Sequence, residues 1–290
     1  MGAPDGAGSF VTLLGLHHVT ALAGDPQQNL DYYTATRGMR LVKRTVNYDD
    51  PASHHFYYAD PNATPGSVLT FFPCGHVRKP RRGIGQALSV AFEAAQVQRT
   101  VERFGQLVEV IPDPDGLLLE FVQVPDPRPH RLHSVSLCVS ALAPAEEFLT
   151  GRLGLTSMGR EGNRSRLLVG RDYYIDLVED PLAERGKMGA GSIHHIAFRV
   201  GTEENLMSWR ERLASAGLRV TPMKDRTYFH SIYFRGPDDV LFEFATDGPG
   251  FTIDEPAEDL GRRLCLPPWL EQHRAEIEGR LTSGRAGSVR

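Results

Sequence analysis

Along most of this chain apolar and polar residues alternate with the period of a strand, interrupted by a few stretches of helical spacing. LHHVTALAG, from Leu16, has the strand pattern. PQQNLDYYTATRG follows with apolar positions near helical spacing, and Gly38 is placed to cap a helix. Three strand-like runs come next: MRLVKRTV, HHFYYAD and SVLTFFP. The order is β-α-β-β-β, and it returns near the end of the chain. IHHIAFRV reads as a strand and EENLMSWRERLASAG as a helix ending at Gly217. LRVTPMKD, SIYFRGP and VLFEFAT then read as strands, with GPDD as a turn. A third copy begins at Leu132 with LHSVSLCV. It continues with a helix over APAEEFLTGRLG and strands near TSMGRE, SRLLVG and YYIDLVE. A second copy, from GQALSVAFEA at Gly85 to GLLLEFVQV, is abbreviated, with a short helix over VQRTVERFG. The proline-rich PDPRPH, residues 125–130, links copies two and three.

A βαβββ unit leaves one face of its sheet uncovered, so the copies must pair. The expected fold class is α+β: four βαβββ modules forming two curved mixed-sheet cups. The expected divisions are a disordered N-terminus over 1–12, modules one and two over 13–126, modules three and four over 127–250, and a tail over 251–290. In the tail, Pro267 and Pro268 start a helix with Trp269, Leu270, His273, Ile277 and Leu281 on one stripe. Such a helix either docks on the surface or covers a site. The final SGRAGSVR is expected to be loose.

Net charge −4 excludes a nucleic-acid surface as the main business, and RKPRR, residues 78–82, reads as a solvated linker. No segment approaches the ~20 apolar residues of a membrane helix. Cys74, Cys138 and Cys265 form no CxxC pair, and an odd number gives no disulfide framework, which fits a reducing cytoplasm.

The repeat allows the chain to be compared with itself. At the second residue of each first-strand pair stand His18, Ala87, Ser134 and His195. In the last strands, aligned on VLFEFAT, stand Phe71, Glu120, Asp176 and Glu243. Copies one and four carry the histidines, and copy four also carries a carboxylate. Two imidazoles and one carboxylate with open positions are the donor set of non-haem Fe(II) oxygenases. Strand alternation puts one member of each pair in the cup, leaving His17 and His194 in the wall or behind the ligands. Glu243, between two phenylalanines, requires a partner for its charge. Glu120 lacks a histidine in its own copy and reads as a salt-bridge residue or a relic. Copies one and four are therefore expected to line a common cup, with copies two and three forming a metal-free one.

These residues resemble those of the vicinal oxygen chelate superfamily of glyoxalases, bleomycin resistance proteins and extradiol dioxygenases. The similarity is greatest to ring-cleaving hydroquinone dioxygenases and runs through LHHVT, MRLVKRTVNYDD, FYYADPNATPGSVLTFFP, IHHIAF, RTYFHSIYFRGPDDVLFEFATDGPGF and LPPW. It implies a metal at His18, His195 and Glu243, with His17, Thr20, His194, Arg226 and Tyr233 in the pocket. His17 or His194 would serve as acid or base, and Tyr233 would bond an oxygen of the substrate. Arg226 would hold a negative group, unless it is spent on an ion pair with Asp225 or another neighbour. Tyr228, Phe229 and Phe71 are candidates for the apolar wall. The implied cofactor is Fe(II), with Mn(II) served by the same ligands, and the partners are an aromatic diol and O₂; the oligomeric state is left open by the sequence, a homodimer being the commonest assembly. Copy two is shorter than in relatives, and His230 stands where a relative has an acid. The alternatives are a glyoxalase-like isomerase and a metal-free binding or resistance protein.

Overall fold

A computed structural model describes residues 11–73, 75 and 79–282. Most of the N-terminal stretch expected to be disordered, the final SGRAGSVR, Cys74 and Arg78 lie outside these residues. Module one comprises β1 (Gly15–Ala23), α1 (Pro26–Asp31), β2 (Arg40–Asn47), β3 (Asp50–Ala59) and β4 (Val68–Pro73). Module two comprises β5 (Gln86–Ala94), β6 (Thr100–Arg103), β7 (Gln106–Pro112) and β8 (Leu118–Gln123). Module three comprises β9 (Leu132–Val139), α2 (Leu142–Leu153), β10 (Thr156–Glu161), β11 (Arg164–Val169) and β12 (Tyr173–Glu179). Module four comprises β13 (Ile193–Gly201), α3 (Glu203–Ser215), β14 (Lys224–Asp225), β15 (Phe229–Arg235) and β16 (Leu241–Pro249). Two short tail helices follow, α4 (Pro268–Glu271) and α5 (Arg274–Thr282).

Local chemistry explains the helices. The Thr202 hydroxyl accepts from the Asn205 amide and Glu203 and Glu204 occupy the first turn of α3, both favourable at a helix N-terminus. Leu206, Trp209 and Leu213 then form its buried stripe. Gly154 closes α2 in the left-handed conformation, with φ of 75°.

Two expected elements differ. VQRTVERFG is not a helix: Thr100–Arg103 is a strand paired with β7, and Phe104 and Gly105, with φ of 51° and 71°, make the hairpin turn. In LRVTPMKD only Lys224–Asp225 pairs, because Pro222 interrupts the run and an edge position demands little of it.

The strands form two eight-stranded sheets, β14-β15-β16-β13-β1-β4-β3-β2 and β10-β11-β12-β9-β5-β8-β7-β6. Modules four and one share the first sheet, and modules three and two share the second. Each sheet is joined by an antiparallel seam between first strands, β1 with β13 and β5 with β9. The largest core cluster joins the two sheets, bringing Phe198, Trp209 and Phe244 into one body with Val90, Leu137 and Ile175.

After β16 the chain crosses the rim of the first cup as a strap. Phe251 and Leu260 pack with Val42, Tyr57, Tyr228 and Phe229. Lys43, fully buried, donates to Asp254 Oδ1 and Glu255 Oε2, each at 2.5 Å. The Cys265 amide donates to the Arg44 carbonyl at 2.9 Å. The tail helices dock on module one through Leu270, Ile277 and Leu281 against Val46 and Leu266. Trp269 and His273 stay largely outside, so only part of the expected stripe is used.

Lys43→Met removes the close counter-ion of buried Glu255 and leaves only Arg263, 3.8 Å away, which costs up to about 3–5 kcal/mol. The urea midpoint should fall accordingly in equilibrium unfolding, and an unchanged midpoint would show that this ion cluster does not hold the strap.

Candidate metal centre

The seam between β1 and β13 builds the site. Two bulges interrupt its register, one between Leu16 and His18 and one between Thr20 and Ala21. The extra residue is His17 in the first and His194 in the second. The seam of the other sheet has the same two bulges, with Leu88 and His133 as the extra residues. A pseudo-dyad therefore exchanges His18 with His195 and His17 with His194.

A bulge breaks strict alternation. The His17 and His18 rings both pack on Phe229, with centroids 5.0 and 5.1 Å away. His17 is thus turned to the cup side rather than directed away from it. The same bookkeeping corrects two equivalences expected from sequence. Ala197 pairs with Glu243 and Thr20 with Thr70, so Thr70, not Phe71, stands where Glu243 stands in module four. Ser89, not Ala87, occupies the position of His18 in module two. Phe71 lies on the opposite face, beside Tyr33 and Tyr58 in the core, and is no part of the cup wall.

His18, His195 and Glu243 converge although 177 residues separate the histidines. The two Nε2 atoms lie 3.3 Å apart. Glu243 Oε2 lies 3.4 Å from His18 Nε2 and 2.9 Å from His195 Nε2. All three side chains are buried. Ser231 donates to the other carboxylate oxygen, Oε1. Burial opposes ionisation of Glu243, yet His18 and His195 hold its carboxyl well below the ordinary carboxylate range.

Each of the two cup histidines is paired with its sequence neighbour through Nδ1. His17 Nδ1 lies 2.9 Å from His18 Nδ1, and the His17 ring also bonds the Thr246 backbone. Burial, and then the neighbouring His18, push His17 down to about 3, so it is neutral at ordinary pH. The His17 contact leaves His18 Nε2 directed at His195 and Glu243. His194 Nδ1 stands 2.7 Å from His195 Nδ1 in the same relation, and burial likewise lowers His194 to about 3. Both rings thus contact a cup histidine directly, where each can orient it.

The residues fit a divalent cation. Glu243 Oε2 and the two imidazole Nε2 atoms converge on one another in a buried space. Mutually adjacent ligands at ~2.1 Å from an ion are spaced about 3 Å apart, close to the observed separations. Among the described residues a second cluster, Asp254, Glu255 and Cys265, has donors within reach of one another. The Lys43 ammonium already supplies its cation.

The second cup solves the same problem with guanidinium. Arg166 forks onto Asp176 through two contacts of 2.8 Å, and Arg103 pairs with Glu120 at 2.7 Å. Ser89 and Ser134 stand where the first cup has His18 and His195.

Around the first site, Arg226 Nε donates to the Tyr233 hydroxyl at 3.1 Å, and its Nη2 meets Asp49 Oδ2 at 3.1 Å. The ion pair considered with Asp225 is thus made with Asp49, from module one. Asp225 instead accepts from the Thr227 amide. His230 faces Glu203 at the start of α3, 2.7 Å away. Thr20 shares a 2.8 Å hydrogen bond with Thr70, which also bonds His55 Nε2 at 2.9 Å. His55, Ser231 and Asp49 were not singled out from sequence. The phase of HHFYYAD, with His55 and Tyr57 on the face of Thr70, was the available signal for the first.

Residues 131–244 match the Glyoxalase/Bleomycin resistance protein/Dioxygenase superfamily. MhqO of Bacillus subtilis, whose name marks it as a candidate ring-cleaving dioxygenase, is 37% identical over 296 residues, 91% of this chain and 95% of its own. The chain belongs to this superfamily. It is also 31% identical over 307 residues to a chlorohydroquinone/hydroquinone 1,2-dioxygenase of Sphingobium indicum, covering 91% and 94% of the two chains. The crystal structure of a candidate dioxygenase from Bacillus subtilis superposes with a TM-score of 0.89 at 36% identity, covering 96% of this chain and 99% of that one.

One divalent ion per chain is expected, read by elemental analysis of protein reconstituted with Mn(II) or Fe(II). His195→Ala or Glu243→Ala should lower the affinity by about 100-fold or more. Retention of the ion by both variants would exclude the site.

Proposed function

We propose that this protein is a cytoplasmic ring-cleaving dioxygenase that opens a hydroquinone-like or catechol-like ring with O₂ and non-haem Fe(II), with Mn(II) as the other candidate metal. The observation that supports it most is the count of protein donors. His18, His195 and Glu243 provide three, and the fourth position related by the pseudo-dyad holds Thr70. An ion held this way keeps positions open, as reaction of a phenol with O₂ requires. When bound, the metal lowers the pKa of a coordinated hydroxyl and passes electron density between ring and O₂. Cys138 and Cys265, buried and unpaired, suit a reducing compartment.

The chain's own residues bind and orient the substrate. Phe229, Tyr228 and Tyr57 form an apolar wall for a flat ring. Arg226 donates to the Tyr233 oxygen, which frees the phenolic proton of Tyr233 for an oxygen of the substrate. Burial, reinforced by Glu243, raises the Tyr233 pKa, so it remains a donor. The strap residues Phe251 and Leu260 help exclude water from the rim.

The test is anaerobic loading with Fe(II), then oxygen uptake with hydroquinone and with catechol. Uptake equimolar with ring opening is expected, lost on chelation and in His195→Ala. Tyr233→Phe should lower kcat/KM about tenfold, the value of one hydrogen bond. No oxygen uptake, but isomerisation of a glutathione hemithioacetal with Zn(II) or Ni(II), would overturn the dioxygenase reading.

A further inference from the structure

The pseudo-dyad identifies what faces the open side of the metal centre. Tyr57 pairs with Thr70 on one side of the seam, as Tyr233 pairs with Glu243 on the other. Two residues before each tyrosine stand His55 and Ser231. The hydrogen bonds repeat as well. Ser231 donates to Glu243, and His55 Nε2 bonds Thr70 Oγ1 at 2.9 Å. Thr70 is thus the counterpart of Glu243, with its oxygen two carbon atoms closer to the backbone. Thr70 is completely buried, and its hydroxyl is held between Thr20 and His55. The His55 ring is itself wedged between Tyr57 and Phe72, with centroids 4.0 and 4.3 Å away.

We propose that Thr70 closes the open side of the metal centre opposite Glu243 and presents its hydroxyl to the oxygen of a small phenolic ligand, with His55 as the residue that orients it. The placement of Thr70 rests only on the three-donor centre. The phenolic identity of the ligand rests on the dioxygenase reading.

Two sets of variants separate the two. Thr70→Glu restores the carboxylate that the dyad calls for, with Thr70→Asp as the smaller version should the longer one not fold. On Mn(II)-loaded protein, either should tighten metal binding by about tenfold. Either should also lower the enhancement of solvent-proton relaxation, because the new ligand displaces coordinated water. Unchanged affinity and relaxation in a folded carboxylate variant would overturn the placement, whatever the substrate. Anaerobic titration of the Mn(II) protein with hydroquinone then reads ligand recognition without turnover. Thr70→Val and His55→Phe should weaken binding about tenfold at unchanged metal affinity, with recovery in Thr70→Ser and His55→Gln. Hydroquinone binding that is normal in Thr70→Val and His55→Phe would overturn the recognition role. Failure of the unsubstituted protein to bind hydroquinone would count against the dioxygenase reading and leave the relaxation result to decide the placement.

Discussion

The site depends on one antiparallel seam. β1 and β13 come from opposite ends of the chain, and their pairing sets His18 beside Ala197 and Thr20 beside His195. Because side chains alternate along a strand, a slip of one residue would turn an imidazole to the opposite face. The two bulges guard against that slip. Each inserts a histidine that fits only at its own place in the ladder, and each inserted ring bonds the Nδ1 of the neighbouring ring. The same backbone irregularity therefore serves both the register and the direction of the two nitrogen donors.

The two cups show how far a shared backbone can diverge electrostatically. Both have the seam, the two bulges and a carboxylate on the last strand of a module. In the second cup Arg103 and Arg166 meet the carboxylates directly, and two serines replace the imidazoles. A guanidinium is a permanent cation on a covalent tether, so nothing is left to be recruited from solution. In the first cup Glu243 is met by a serine hydroxyl and two imidazoles, a donor set that suits a mobile ion.

Much of this was legible in the order of residues. Alternation and helical spacing located most elements, and the matching LHHVT and IHHIAF runs predicted the pairing of modules one and four. The failures have physical causes. In VQRTVERFG the apparent helical spacing misled, because Val97, Thr100, Val101 and Phe104 favour a strand and pairing with β7 realises it. A bulge adds one residue without any compositional trace, so the orientation of His17 could not be seen in advance. Aligning SVLTFFP with VLFEFAT by their shared VL places Phe71 one residue out of phase, and only the ladder identifies Thr70. Asp49 lies 177 residues from Arg226, and a contact of that separation leaves no local signal.

The seam also orders events during synthesis. Modules two and three are contiguous, so β5 and β9 can join soon after Leu132–Val139 is made. β1 must wait for Ile193–Gly201, and until then its free edge is exposed to unwanted strand partners. The inner pair of modules can therefore form a platform on which the outer pair closes. His18, His195 and Glu243 can come together only once the ribosome has delivered module four.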